Sequence, residues 1–113
     1  MRLDYELGAP IEARHRLRNT FSAAELPDEV IVVVSELVTN AVLHGVPPIE
    51  LRLTVDDSVV RIEVSDARRD MGSPVEESRG LLIIGQLANA WGVRSTSEDG
   101  KVVWADVAVD QPS

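Results

Sequence analysis

Residues 28–45, DEVIVVVSELVTNAVLHG, decide how the rest of the chain is read. Taken alone, Val30-Ile31-Val32-Val33-Val34 suits a buried strand, because β-branched side chains favour strands. The apolar character continues, however, through Leu37, Val38, Ala41, Val42 and Leu43, which is about four helical turns in all. Gly45 with Pro47 and Pro48 then forms a normal helix ending. Asp28 and Glu29 stand where a helix N-terminus favours negative charge, so the stretch is read as a helix.

Between Val30 and Leu43 the only charged side chain is Glu36, and Glu36, Asn40 and His44 are spaced by four. Successive members are offset by about 40° and share one face. One reading of this stripe is the solvated face of an amphipathic helix. The other is a pocket wall, where a carboxylate accepts a proton and an amide oxygen one turn on faces a cation or its bound water. Periodicity alone does not separate them. His44 has no second histidine at metal-binding spacing, and a role at the helix C-terminus, on the dipole or the last carbonyls, suits it better. No GxSxG elbow or Ser-His-Asp pattern is present.

Outward from this helix, Leu3, Tyr5 and Leu7 alternate with Asp4 and Glu6 as in a half-buried strand, closed by Gly8-Ala9-Pro10. From Ile11 to about Ala24, Ala13, Leu17 and Phe21 recur every four residues among arginines, giving an amphipathic helix that Leu26-Pro27-Asp28 breaks. Ile49, Leu51, Leu53 and Val55 alternate with polar residues, Asp56-Asp57-Ser58 turns, and Val60, Ile62 and Val64 alternate again, as in an antiparallel hairpin. Asp66 to Arg79 is polar and irregular, and a loop of that length in a small domain is usually functional. Gly80 to Ala90 reads as a second buried helix. Two strands follow, at about 91–97 and 101–109, joined by Glu98-Asp99-Gly100. The order predicts an α+β two-layer sandwich with a mainly antiparallel mixed sheet and helices on one face. It also predicts a single domain over residues 1–109 with a frayed tail.

Composition narrows the function. The 113 residues leave room for one core, and the 44% hydrophobic content suits a folded globular chain. With 19 acidic against 11 basic side chains, the formal charge is -8, which disfavours binding to phosphate backbones. The four aromatics, Tyr5, Phe21, Trp91 and Trp104, make no stacking platform. Without cysteine there is no disulfide, thiolate metal site or cysteine nucleophile. MRLDYELGAP carries no apolar run of a signal sequence, and Val30 to Val34 is far short of a membrane span. The expected compartment is the cytoplasm, with no membrane contact.

The segment Ser35-Glu36-Leu37-Val38-Thr39-Asn40-Ala41-Val42-Leu43-His44-Gly45 closely resembles the N box of the GHKL ATPase/kinase superfamily. In particular it resembles the branch of small anti-sigma factors that are serine-protein kinases, and related actinobacterial-type regulatory ATP-binding domains. The resemblance extends to Val64-Ser65-Asp66, to Arg79-Gly80-Leu81-Leu82, to Trp91-Gly92 and to Gly100-Lys101 through Trp104. It implies the GHKL ATP-binding fold, ATP and Mg²⁺ as cofactors, and transfer of phosphate to a protein serine or threonine. The implied site comprises Glu36 as general base, Asn40 on Mg²⁺, Asp66 on the adenine amino group, and Arg79, Gly80 and Leu81 at phosphate. The implied partners are a sigma factor, or the antagonist protein that counters such a regulator, with a homodimer as a further expectation.

The chain departs from the family pattern in its glycine boxes. Arg68 and Asp70 hold two glycine positions of the first box, and Ser78 replaces the first glycine of the second. A side chain there obstructs close backbone approach to a ligand. Val102 stands where the family often has a threonine that supports the adenine-binding aspartate, and a methyl group cannot replace a hydroxyl hydrogen bond. A second expectation therefore stands beside the first, a protein-binding module that keeps the fold without nucleotide binding or catalysis.

Overall fold

The computed structural model describes residues 2–7, 15–19, 26–56, 58–67, 79–95 and 100–109, with the backbone alone at 2–7 and 79–81. Its strands are β1 (Arg2–Leu7), β2 (Ile49–Val55), β3 (Val59–Asp66), β4 (Ala90–Ser95) and β5 (Lys101–Ala108). Its helices are α1, described over residues 15–19, α2 (Asp28–His44) and α3 (Arg79–Leu87). One five-stranded sheet has the order β1-β2-β3-β5-β4, and all four described pairings are antiparallel. The expected α+β two-layer sandwich is present.

The alternation seen in the sequence is what makes this sheet one-sided. Ile49, Leu51 and Leu53 are buried while Glu50, Arg52 and Thr54 are exposed. The register aligns these rows across the sheet, Leu51 with Val64 and Val103, Leu53 with Ile62 and Ala105. Against that face α2 lays Val30, Val33, Val34, Leu37, Val38 and Ala41, joined by Leu17 of α1 and Ile84 of α3 in one core. Each fully buried aliphatic side chain contributes roughly 1.5–3 kcal/mol of transfer free energy, enough to hold the valine run of α2 in a helix against its local strand preference. The expected first helix is described only at 15–19, where Leu17 is buried and Arg16 and Arg18 are exposed; the rest of it lies outside the described residues, as does the expected tail.

The opposite face of the sheet carries charge and one indole. Arg61 donates to both carboxylate oxygens of its register partner Asp106, at 2.7 and 2.8 Å, and its guanidinium lies 4.8 Å from the centre of the Trp104 ring. Gly92 faces Trp104 across the β4–β5 pair, and a Cβ there would stand 3.0 Å from the indole Nε1. The β2–β3 turn is closed by the Asp56 carboxylate, which accepts from the backbone N–H of Ser58 at 2.9 Å and of Val59 at 2.8 Å. Those two bonds hold the Asp56 carboxyl below its usual range. No described helix is long and apolar enough to cross a membrane.

Candidate functional site

The site is built where α2 ends against the end of β3. Gly45 closes α2 by donating its N–H to the Ala41 carbonyl at 2.8 Å. Its dihedrals, φ -92° and ψ -174°, are extended and open to any residue, so the helix ending does not need glycine for a left-handed turn. Space is what needs it: a Cβ would stand 2.5 Å from the Ala41 carbonyl oxygen and 2.7 Å from both Cγ and Oδ2 of Asp66. The carboxyl group of Asp66, the last residue of β3, therefore lies directly on the backbone of Gly45. Val46 N–H donates to Asp66 Oδ1 at 3.4 Å, and Ala67 N–H donates to the Val46 carbonyl at 2.7 Å. Helix end and strand end are thus stitched together around one carboxylate.

A second charged group completes this junction. Lys101 is the register partner of Asp66, and strand alternation from Val103, Ala105 and Val107 turns its side chain to the helix-covered face. Lys101 Nζ stands 3.9 Å from Asp66 Oδ2, and the side chains of the pair are only 3% and 1% exposed. Removing two charges from water costs several kcal/mol each, which mutual attraction offsets only when the pair stays together. Val102 pairs with Ser65 and lies on the other face, so the one-residue alternation of the strand turns it away from Asp66. The residue facing Asp66 is Lys101, to which the sequence pattern alone gives no role. Its signal was present in the alternation with Val103, Ala105 and Val107.

On α2, Asn40 is buried, while Glu36 and His44 are half-buried. The stripe is therefore not a broad solvated face. The residues most open to solvent between Val30 and His44 are instead apolar: Val32, Val42 and Leu43, the last 69% exposed. Thr39 Oγ1 satisfies itself within the helix by donating to the Ser35 carbonyl at 2.6 Å. Asn40 lies little more than one turn before Gly45 and Asp66, and Glu36 one turn further back. Arg79, Gly80 and Leu81 form the first turn of α3, a helix that packs against α2. Free N–H groups and the helix dipole make such a turn suited to anions. The side chains of Arg79 and Leu81, and the altered glycine-box positions Arg68, Asp70 and Ser78, lie outside the described residues.

The donor chemistry fits a nucleotide with its metal better than a resident metal. Among the described residues no group of three or more His, Cys, Asp or Glu side chains is placed to hold an ion. Mg²⁺ keeps several waters and takes one or two protein oxygens plus substrate phosphates, a demand that the amide oxygen of Asn40 meets. The Asp66 carboxylate, with glycine backbone on one side, offers acceptors to a base amino group.

Comparison with curated proteins gives no match. A sequence model of the histidine kinase-like ATPase domain matches residues 9–107. That span contains all of α2, the Gly45–Asp66 junction, the first turn of α3 and the inward row of β5 as far as Val107. The chain belongs to the histidine kinase-like ATPase domain family.

Proposed function

We propose that the protein is an ATP-binding regulatory domain that acts as a serine/threonine-protein kinase of the anti-sigma-factor type. The observation that carries this reading is the Asp66 carboxylate seated on Gly45 at the end of the helix that bears Glu36 and Asn40. Bound Mg·ATP supplies the phosphoryl group, with the metal neutralising charge on the phosphates. Asp66 holds the base, Asn40 offers its oxygen to the metal, and the first turn of α3, with Arg79, Gly80 and Leu81, receives the phosphates. Glu36, half-buried rather than fully solvated, takes the proton of an attacking serine or threonine hydroxyl. The partner is a sigma factor or the antagonist that competes with it. The charge of -8 suits docking onto a basic surface.

Isothermal titration with ATP and Mg²⁺ tests the first half; absence of heat up to millimolar nucleotide sinks it. Glu36→Ala is expected to lower transfer to a phosphoacceptor protein by about 10²–10⁴-fold while nucleotide still binds, and unchanged transfer rejects Glu36 as the base. The second reading, a protein-binding module without nucleotide, is favoured by one observation: Lys101 already gives Asp66 a counter-ion inside the fold. Capture of the same partner in the presence and absence of ATP, by a chain that binds no nucleotide, is its signature.

A further inference from the structure

We propose that Lys101 is a base-selecting residue which, paired with Asp66, lets this site take 6-oxopurine nucleotides of the inosine and guanosine class as well as adenosine nucleotides; this rests on the nucleotide-binding reading above. A carboxylate is an acceptor only. It receives the exocyclic amino group of adenine, but a purine with a carbonyl at that position meets it acceptor to acceptor. A buried site that leaves such a group unpaired rejects the wrong ligand by about 10⁴–10⁵-fold. Lys101 changes this, because an ammonium offers three donors and no acceptor.

The geometry joins the two functions at one place. Asp66, last in β3, and Lys101, first in β5, are directly opposed in the antiparallel register, on the same face and at the same end of the sheet. Their 3.9 Å separation is too long for a hydrogen bond, yet close enough for one edge of a planar base to touch both. With adenine, the amino group goes to Asp66 and Lys101 stays paired with Asp66 without touching the base. With a 6-oxopurine, Lys101 donates to the carbonyl and the protonated ring nitrogen goes to Asp66. A small slide of the base exchanges one pattern for the other, and both satisfy the same two side chains. Among the described residues Lys101 is the only buried basic side chain. Its inward neighbours along β5 are Val103, Ala105 and Val107, so packing alone calls for an aliphatic residue there.

The test measures equilibrium binding of Mg·ATP and Mg·ITP, at one salt concentration, to the wild type and to Lys101→Met. The wild type is expected to bind ITP within about tenfold of ATP, and Lys101→Met to weaken ITP about 10–100-fold more than ATP, the worth of one charge-assisted hydrogen bond. If Lys101→Met fails to fold by circular dichroism, Lys101→Gln takes its place, and the wild-type ratio is informative without any variant. Wild type that binds ATP but rejects ITP by more than about 10³-fold, or a variant that weakens both nucleotides equally, overturns the proposal and leaves Lys101 as a counter-ion. Wild type that binds neither nucleotide overturns the proposed function itself and this inference with it.

Discussion

Gly45→Ala isolates the contact on which the junction depends. The backbone there has φ -92°, which alanine adopts without strain, so the whole effect is steric. The added Cβ would stand 2.5 Å from the Ala41 carbonyl oxygen and 2.7 Å from the Asp66 carboxyl, where ordinary contact begins at 3.4 Å; neighbours must move by about 0.7–0.9 Å. The Ala41 oxygen is helix backbone and yields little. Asp66 moves instead, away from Val46 N–H and from Lys101. Overpacking costs about 1–3 kcal/mol, and weakening a buried polar contact adds about 1–3 kcal/mol, so the expected loss is roughly 2–6 kcal/mol. For a domain of this size that is a fall in Tm of about 8–24 °C. Gly85→Ala is the matched control. It lies within α3, among the described residues its Cβ would meet only Trp91 Nε1, at 3.7 Å, and relief of helical glycine is expected to stabilise by about 0.5–1 kcal/mol. Equilibrium urea unfolding of both variants reads the pair with opposite signs. Gly45→Ala within about 0.5 kcal/mol of the parent, the spread of an ordinary surface substitution, would refute the close approach.

Other consequences follow from the ion pairs and from Gly92. Lys101→Met or Asp66→Asn alone leaves a buried partner behind and is expected to cost about 3–5 kcal/mol, whereas the double variant loses much less than the sum; additive losses in chemical unfolding would show that the pair is not coupled. The Arg61 guanidinium holds the Asp106 carboxyl below its usual value of 3.8. Its folded pKa is therefore lower than its unfolded one, and the stabilisation is present above the unfolded value and lost as pH falls through the folded one. Asp106→Asn should thus cost up to about 1 kcal/mol near neutral pH, since the pair is partly exposed. The two proteins should converge below the carboxylate range; a gap that persists in acid argues against the ion pair as its source. Gly92→Val places a branched side chain against the Trp104 indole and is expected to shift tryptophan emission and cost about 1–3 kcal/mol; unaltered emission and stability would mean that the indole does not lie across Gly92.

Much of this was legible because the sheet is one-sided. Alternation fixed the rows of β2 and β3 before any coordinates, and the helical reading of residues 30–45 followed from length, since strands rarely sustain an apolar run past Val34 to Leu43. The stripe of Glu36, Asn40 and His44 was visible as a face, but its depth was not. Spacing gives an angle around a helix, and burial depends on which neighbours cover that angle. Asn40 is covered, whereas Glu36 is only partly so. Local pattern marks Gly45 as a helix ending, and its second role, making room for Asp66, depends on a contact across 21 positions of sequence that no local pattern carries. Lys101 was missed for a different reason. Lysine is almost never fully buried unless paired, and its pairing with Asp66 exists only through the β3–β5 register.

The strand order also sets a sequence of assembly. β2 and β3 adjoin through a turn at residues 56–58, and β4 and β5 through residues 96–100, so each pair closes as a local hairpin. Among the described residues β1 has one neighbouring strand, and its end at Leu7 pairs with Ile49. Closure entropy grows by about 0.6 kcal/mol with each doubling of loop length, which makes closing β1 about 2 kcal/mol more costly than closing the β2–β3 turn. β1 therefore docks after the helices that span its gap have found their core, and on native-state opening it is the first strand to surrender its amide protons to solvent.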